Sequence, residues 1–356
     1  MPSSRERRAF VFAFTLLGAT ALASRAGAQQ AAQGFATERF YPSAPGGGWF
    51  VMDALDMRGG LGGAMQVTAG YARNPFRVTD GAQHLAVVSD QAFTDFGFAL
   101  TYDRFRMSLD MGVPLVSKGD SGKVGAYSFT GPDLDVASHP DNLMDARVGF
   151  DARILGGPRS AFRLGAGAQL YIPNADRWDY LTDGTYRAMG RVLFAGDVGL
   201  FTYAGHVGVH VRPVDDSPVP GSPQGSELLF GLAAGVRVPL HKGGDLALVV
   251  GPELYGATAF RSFFGTTGTA LEGLVTGRIE GTADDGPQFR IKLGTGGGLN
   301  PRFGAPEWRL VFAIEVFDHS TDRDGDGVTD GKDACPDAPG IKTADPKTNG
   351  CPAGGH

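Results

Sequence analysis

Polar and apolar residues alternate along most of this chain with the period of a β-strand. Between Leu143 and Ile172, one row holds Met144, Ala146, Val148, Phe150, Ala152 and Ile154, and Asp145, Arg147, Gly149, Asp151 and Arg153 lie between them. After Gly156-Gly157-Pro158-Arg159-Ser160 the alternation resumes. Phe162, Leu164, Ala166, Ala168, Leu170 and Ile172 then interleave with Arg163, Gly165, Gly167 and Gln169. A period of two sends successive side chains to opposite faces of a strand. Each segment is long enough to cross a bilayer at a tilt, which takes about 9–11 residues.

The same device predicts roughly twelve strands, near 61–78, 84–101, 104–115, 143–155, 160–172, 185–196, 198–212, 226–239, 244–257, 268–280, 287–299 and 306–318. Short connections (Tyr102-Asp103, Gly156–Arg159, Gly196-Asp197, His241–Gly244, Gly281–Gly286) fall between longer polar ones (Ser117–Asn142, Asn174–Gly184, Arg212–Gly225, Thr258–Thr267). Outer-membrane barrels pair short periplasmic turns with longer outside loops in this way. The expected fold is all-β: a transmembrane antiparallel up-and-down barrel over residues 60–318. An even strand count puts both termini on the short-turn side.

Parity then sorts the residues. Phe105, Met107, Leu109 and Met111 face out, as do Val207, Val209 and Val211, then Leu228, Phe230, Leu232 and Val236, and finally Trp308, Leu310, Phe312, Ile314 and Val316. The lumen-lining candidates are Arg106, Asp110, Arg147, Asp151, Arg153, Arg163, Arg187, Arg191, His206, His210, Arg237, Glu272, Arg278, Arg290 and Lys292, joined by Arg212, Glu253, Glu280, Arg309 and Glu315. A soluble sandwich needs an apolar core face, so charges on one parity argue for a polar lumen. There they meet water or, as Arg147 could with an Asp on a neighbouring strand, pair across the wall and close it. Tyr71, Tyr102, Tyr171, Tyr186 and Trp178 are candidates for interfacial girdles. Val214–Gly225, rich in Pro and Gly, reads as an exposed loop.

Composition changes this picture little. The chain has 356 residues, 55 of them Gly, and its net charge of −6 comes from an acidic excess near the C-terminus, with no basic patch for nucleic acid. The N-terminus adds more. Arg5, Arg7 and Arg8 precede the apolar run Ala9 to Ala23, and Ala26-Gly27-Ala28 gives a cleavage site before Gln29, so residues 1–28 are expected to be a secretory signal peptide. The longest later apolar run, Leu228 to Val236, is too short for a membrane helix. Residues 29–59 contain Phe40-Tyr41-Pro42 and Pro45-Gly46-Gly47-Gly48-Trp49-Phe50, where Pro and Gly argue against regular structure. They read as a periplasmic lead or strap, or as a segment folded into the barrel mouth.

After Phe317 the chemistry changes. Asp322, Asp324, Asp326, Asp330 and Asp333 fall at positions 1, 3, 5, 9 and 12 of a loop, with Gly327 at the turn position and the Val328 carbonyl at position 7. Ca²⁺ takes six to eight oxygen ligands, and this spacing wraps a short loop around one ion. Asp333 replaces the usual bidentate Glu. Pro336, Pro339, Pro346 and Pro352 exclude the flanking helices of a sensor. In an exported chain, Cys335 and Cys351 are more readily a closed pair than free thiols.

Asp322 to Cys335-Pro336, then Pro339-Gly340 and Asn349-Gly350-Cys351-Pro352, resembles a thrombospondin type 3 repeat of the kind that follows the barrel in OmpA-like outer-membrane proteins. The resemblance covers about the last 35 residues (319–356 as a tail) and implies calcium ligation by the five aspartates and a Cys335–Cys351 disulfide. The barrel resembles that group in architecture only. Its peptidoglycan-binding domain is absent from this sequence, so cell-wall tethering is not carried over.

The expected function is a porin-like passive channel for small solutes in a Gram-negative-type outer membrane, weakly favouring anions, with outer-membrane lipid as partner and a periplasmic calcium-binding tail. The alternative is a non-conducting structural or adhesion protein whose repeat serves as a spacer or docks on a cell-envelope component. No enzyme is expected: no G-x-S-x-G, H-E-x-x-H or P-loop occurs. His206 and His210 sit about 13 Å apart on a strand at ~3.3 Å per residue, too far to share a metal.

Overall fold

A computed structural model of the chain describes residues 30–57, 60–158, 160–214, 217–240, 246–281, 288–300 and 304–319, and, in the tail, 324, 326, 328–329 and 332–353. Twelve long strands run in chain order: β1 (Leu61–Asp80), β2 (Gln83–Tyr102), β3 (Phe105–Lys118), β4 (Ala146–Leu155), β5 (Arg163–Ile172), β6 (Arg187–Val198), β7 (Phe201–Val211), β8 (Glu227–Pro239), β9 (Leu246–Ala259), β10 (Thr269–Gly281), β11 (Gln288–Asn300) and β12 (Trp308–His319). Each pairs antiparallel with its neighbours, and β12 returns to β1 from Trp308↔Arg73 to His319↔Gly62, so the sheet closes. Closure leaves no edge of unpaired N–H and C=O groups, the condition for crossing hydrocarbon with strands.

The strands form where the alternation predicts them, because one face meets lipid and the other does not. Along β3, Phe105, Met107, Leu109 and Met111 are exposed, while Arg106, Ser108 and Asp110 are buried. β12 repeats this, with Trp308, Leu310, Phe312, Ile314 and Val316 outside and Arg309, Val311, Ala313 and Glu315 buried. The barrel thus carries an apolar belt, the surface a bilayer's hydrocarbon core accepts.

The two rims differ. At one end the links are short, such as Asp103-Arg104 and Gly199-Leu200. At the other, the β3–β4, β5–β6 and β7–β8 loops are long and fold over the mouth. The β1–β2 hairpin rises beside them, so that Phe76, Val87 and Val88 pack with Val124, Phe129 and Tyr180. The exposed loop expected at Val214–Gly225 is part of this cap: Val214, Ser217, Ser222 and Gln224 are buried. Tyr171 also departs from expectation. It faces the lumen at 5% exposure, whereas Tyr102, Trp178 and Tyr186 stay exposed.

The N-terminal segment is the largest surprise. Residues 32–57 lie almost wholly buried inside the barrel, and not along its outside. The expectation that both termini sit at the short-turn rim fails too. Gln30 and Ala31 pair in parallel with Tyr127 and Ser128 of the β3–β4 loop, at the long-loop rim.

Candidate functional site: the filled lumen

Residues 32–57 fill the lumen in order, from the long-loop rim to the short-turn rim. At the top, the Ala36 N–H donates to Asp183 (2.9 Å), and the Ala36 carbonyl accepts from Arg212 (2.9 Å). Burial pushes the Asp183 carboxyl up, but Arg212, Arg187 and the Ala36 N–H outweigh it and hold the group below the usual carboxylate range. Glu38 meets Arg309 at 2.6 Å, and Arg39 meets Glu227 at 2.7 Å.

In the middle the segment reverses tightly. Ser43 N–H donates to the Phe50 carbonyl (2.7 Å), and Gly47 N–H to Ala44 (2.8 Å). This turns Trp49, Phe50, Val51 and Met52 against an inner band that includes Phe93 of β2, Val249 and Tyr255 of β9, Leu274 of β10 and Val311 of β12. The wall is shaped for them. A Cβ on Gly235 would stand 2.7 Å from the Trp49 ring, and one on Gly231 would run into Met52. The Glu253 carboxylate accepts the N–H groups of Phe50 and Val51, both at 3.0 Å, and the Thr276 hydroxyl at 2.7 Å. Arg278 lies over the Trp49 ring, 4.5 Å from its centroid.

Towards the short-turn rim, Asp53 pairs with Arg106, the Leu55 carbonyl accepts from Arg153 (3.4 Å), and Asp56 meets Arg290 at 3.2 Å. The Gly46 N–H donates to Glu315.

Every lumen-lining candidate named from sequence faces inward, and for the cationic ones the structure also supplies a carboxylate or carbonyl partner. Arg147 pairs with Asp110 (3.0 Å), Arg191 with Asp151 (3.1 Å), Arg163 with Asp197 (2.7 Å) and Arg187 with Asp145 (2.8 Å). Arg309 binds Glu272 (2.5 Å), Lys292 binds Glu315 (3.3 Å), and Arg278 and Arg290 share Glu280 (3.1 Å each), which also takes Arg237. His206 and His210 are buried, and His210 packs between the rings of Tyr41 and Tyr171, each 5.3 Å away.

Of the two readings of the lumen, water-filled or closed by pairs across the wall, the second is realised, and residues 32–57 add to the closure. A cavity of about 70 Å³ between the segment and the wall, lined by Glu38, Tyr41, Asp95, Asp145, Arg147 and Arg187 among others, has room for about two waters. Buried charges of this kind require partners, and three of the carboxylates, Glu38, Asp53 and Asp56, come from a segment that strand periodicity could not place. Sequence reasoning missed Glu38, Trp49, Asp53 and Asp56. Their one available signal was the aromatic and apolar run Trp49-Phe50-Val51-Met52, unexplained in a stretch otherwise read as a polar lead.

In the tail, Cys335 and Cys351 form a disulfide, and Ile341 and Cys351 make an isolated antiparallel bridge. Oxygens of Asp324, Asp326 and Asp333 lie within 4.8 Å of one another. Local backbone bonds aim these carboxylates: Asp326 accepts from Val328 N–H (2.8 Å) and Gly340 N–H (2.9 Å), and Asp333 from Cys335 N–H (2.7 Å). The second Asp333 oxygen is buried without a hydrogen-bond partner. Three converging carboxylates with a spare oxygen fit a hard cation. Asp322 and Asp330 lie outside the described residues.

No family model matches the chain, and no curated protein matches it. Solved barrels do. The COG4313 outer membrane channel from Pseudomonas putida F1 is 14% identical, with 73% of this chain and 96% of that one covered, at a TM-score of 0.44. The β domain of the Bordetella autotransporter BrkA is 14% identical over 71% and 98% of the two chains, with a TM-score of 0.37. OmpT, an outer membrane protein of Vibrio cholerae, is 11% identical over 72% and 95%, at 0.29. The likeness is one of barrel architecture. The expectation that the chain is not an enzyme is also withdrawn, because one fold hosts unrelated functions and a missing motif excludes no activity.

Proposed function

We propose that the chain is an outer-membrane barrel held closed by its own N-terminal segment, with a structural role in the envelope and not that of a standing pore. The observation that carries this is the seating of Trp49, Phe50, Val51 and Met52 in an apolar band of the inner wall. A wall built to hold water has no use for that band. Returning each of these side chains to a wet lumen costs about 1.5–3 kcal/mol. The test is planar-bilayer recording from the full chain, with insertion checked by heat-modifiable gel mobility. Folded, inserted protein gives no steps, whereas regular, sustained steps would replace this reading with the porin-like one.

A specific observation supports a second reading, a gated passage for small anions. Glu38, Asp53 and Asp56 of the segment add a second carboxylate to Arg309, Arg106 and Arg290, which also meet Glu272, Asp151 and Glu280 of the wall. Displacement of the segment therefore takes three carboxylates and one cation, Arg39, out of the lumen and shifts its charge towards positive. Under that reading, steps appear once the segment is weakened, and their reversal potential in a salt gradient has the sign of an anion-preferring pore.

The tail completes the proposal. Asp324, Asp326 and Asp333, with Asp322, Asp330 and the Val328 carbonyl, would hold Ca²⁺, which would cancel their mutual repulsion and stiffen the repeat into a periplasmic spacer or docking element. Titrating the reduced and oxidised protein with Ca²⁺ tests this. Binding shows as calorimetric heat that Asp326→Asn removes, and no heat at millimolar Ca²⁺ ends the calcium reading.

A further inference from the structure

The route of residues 30–61 leads beyond closure of the lumen. We propose that the chain enters its barrel from outside. Gln30, at the head of the exported chain, stands at the cell surface, and the first membrane crossing is made inside the lumen, ahead of the twelve strands.

Apart from the reversal between Ser43 and Phe50, in which Gly46 dips to Glu315 and Arg290 before Phe50 turns back to Glu253, the contacts run from the long-loop rim to the short-turn rim. Ala32 N–H donates to Ser128 and Gln33 N–H to Pro218, both at 2.8 Å, and both acceptors belong to long loops. Glu38 then meets Arg309, the second residue of β12, next to the long-loop rim. Phe50 and Val51 reach Glu253 within β9. Asp53 reaches Arg106, the second residue of β3, and Asp56 reaches Arg290, the third of β11, both next to the short-turn rim. The Gly60 carbonyl accepts from Asp103 N–H (3.0 Å) in the two-residue β2–β3 turn, and β1 departs from there. At the level of Trp49 the segment packs with wall residues from β2 through β6–β10 to β12.

This route follows from chemistry as well as from direction. A segment with carboxylates at its two ends and aromatics in its middle matches a wall with arginines near both rims and an apolar band between them. Since β12 ends at the short-turn rim, where His319 pairs with Gly62, the two ends of the chain leave on opposite sides of the membrane. The proposal rests on the outer-membrane reading above, in which the long loops face out.

Both native cysteines are tied in the disulfide, so one introduced thiol reports alone. Gln30→Cys marks the segment, Ser138→Cys the β3–β4 loop and Leu200→Cys the short β6–β7 turn. All three positions are exposed. Each variant is checked for heat-modifiable mobility and then treated with a membrane-impermeant maleimide on intact and on permeabilised Gram-negative cells. Gln30→Cys and Ser138→Cys are expected to label on intact cells, and Leu200→Cys only after permeabilisation. If Gln30→Cys follows Leu200→Cys, the crossing is refuted while the outer-membrane reading stands. If Ser138→Cys and Leu200→Cys exchange sides, that reading of the orientation falls, and the surface position of Gln30 falls with it.

Discussion

The two faces of the barrel wall are made from alternate residues of the same strands, yet they answer to different solvents. Outside, Leu310, Phe312 and Ile314 need only be apolar, because lipid is fluid and adapts to any shape. Inside, Arg309, Val311, Ala313 and Glu315 of the same strand must each match a particular part of residues 32–57 or a neighbouring charge. The outer face is therefore specified by composition, and the inner face by complementarity. The interior is packed like a domain core with ion pairs built into it, where unpaired charge and empty space both carry a cost.

Perturbing the inner band tests this contrast most severely. Trp49→Ala removes the largest buried side chain and leaves a hole against Gly235, with an expected loss of about 3–5 kcal/mol read as a lower midpoint of denaturant unfolding in detergent. The same variant is expected to produce conductance steps that the parent lacks. An unchanged midpoint together with silence would mean that the segment merely occupies the lumen and does not support it.

A charge on the lipid face comes next. Ile314→Lys near the middle of β12 is expected to cost about 2–4 kcal/mol in a bilayer and much less in detergent, because the penalty lies in hydrocarbon and not in packing. Equal losses in both media would contradict the assignment of that face to lipid.

The smallest effect concerns acid. Asp183 has its pKa held down in the folded protein, so its contribution is present above the carboxylate's unfolded value and disappears only as pH falls through the lower folded value. The hold of Asp183 on Ala36 and Arg212 should thus persist from neutral pH to about 4, the ordinary range for a free carboxylate, and release below it. Protease access to residues 30–40 is a suitable measure. Asp183→Asn cannot titrate, so protease access should be raised already at neutral pH and lose this acid-dependent step, and an identical pH profile in the variant would show that the anchor lies elsewhere.

Much of the wall was legible beforehand. All twelve strands fall within a few residues of their expected places, and the outward and inward rows separate as parity dictates. The short turn expected at Gly196-Asp197 lies slightly later, at Gly199-Leu200, since alternation marks a strand's faces better than its end. The inward charges were recognised, but of their partners only an Asp beside Arg147 was. Arg147 with Asp110 was within reach because the two face each other on adjacent strands. Arg106 with Asp53 and Arg290 with Asp56 were not, because those carboxylates come from a segment with no period.

What the sequence by itself determined is the barrel: strand number, the sidedness of each strand, the apolar belt and the cysteine pair that closes the tail. These follow from a period of two and from spacing along the chain, and both are local. Only the tertiary structure decided what the lumen contains. Charges in alternate positions suit a water-filled pore and a protein-filled one equally well, and the choice depends on whether a distant stretch supplies the complementary groups. Here Glu38, Trp49, Phe50, Asp53 and Asp56 supply them, from a segment whose order comes from the wall around it.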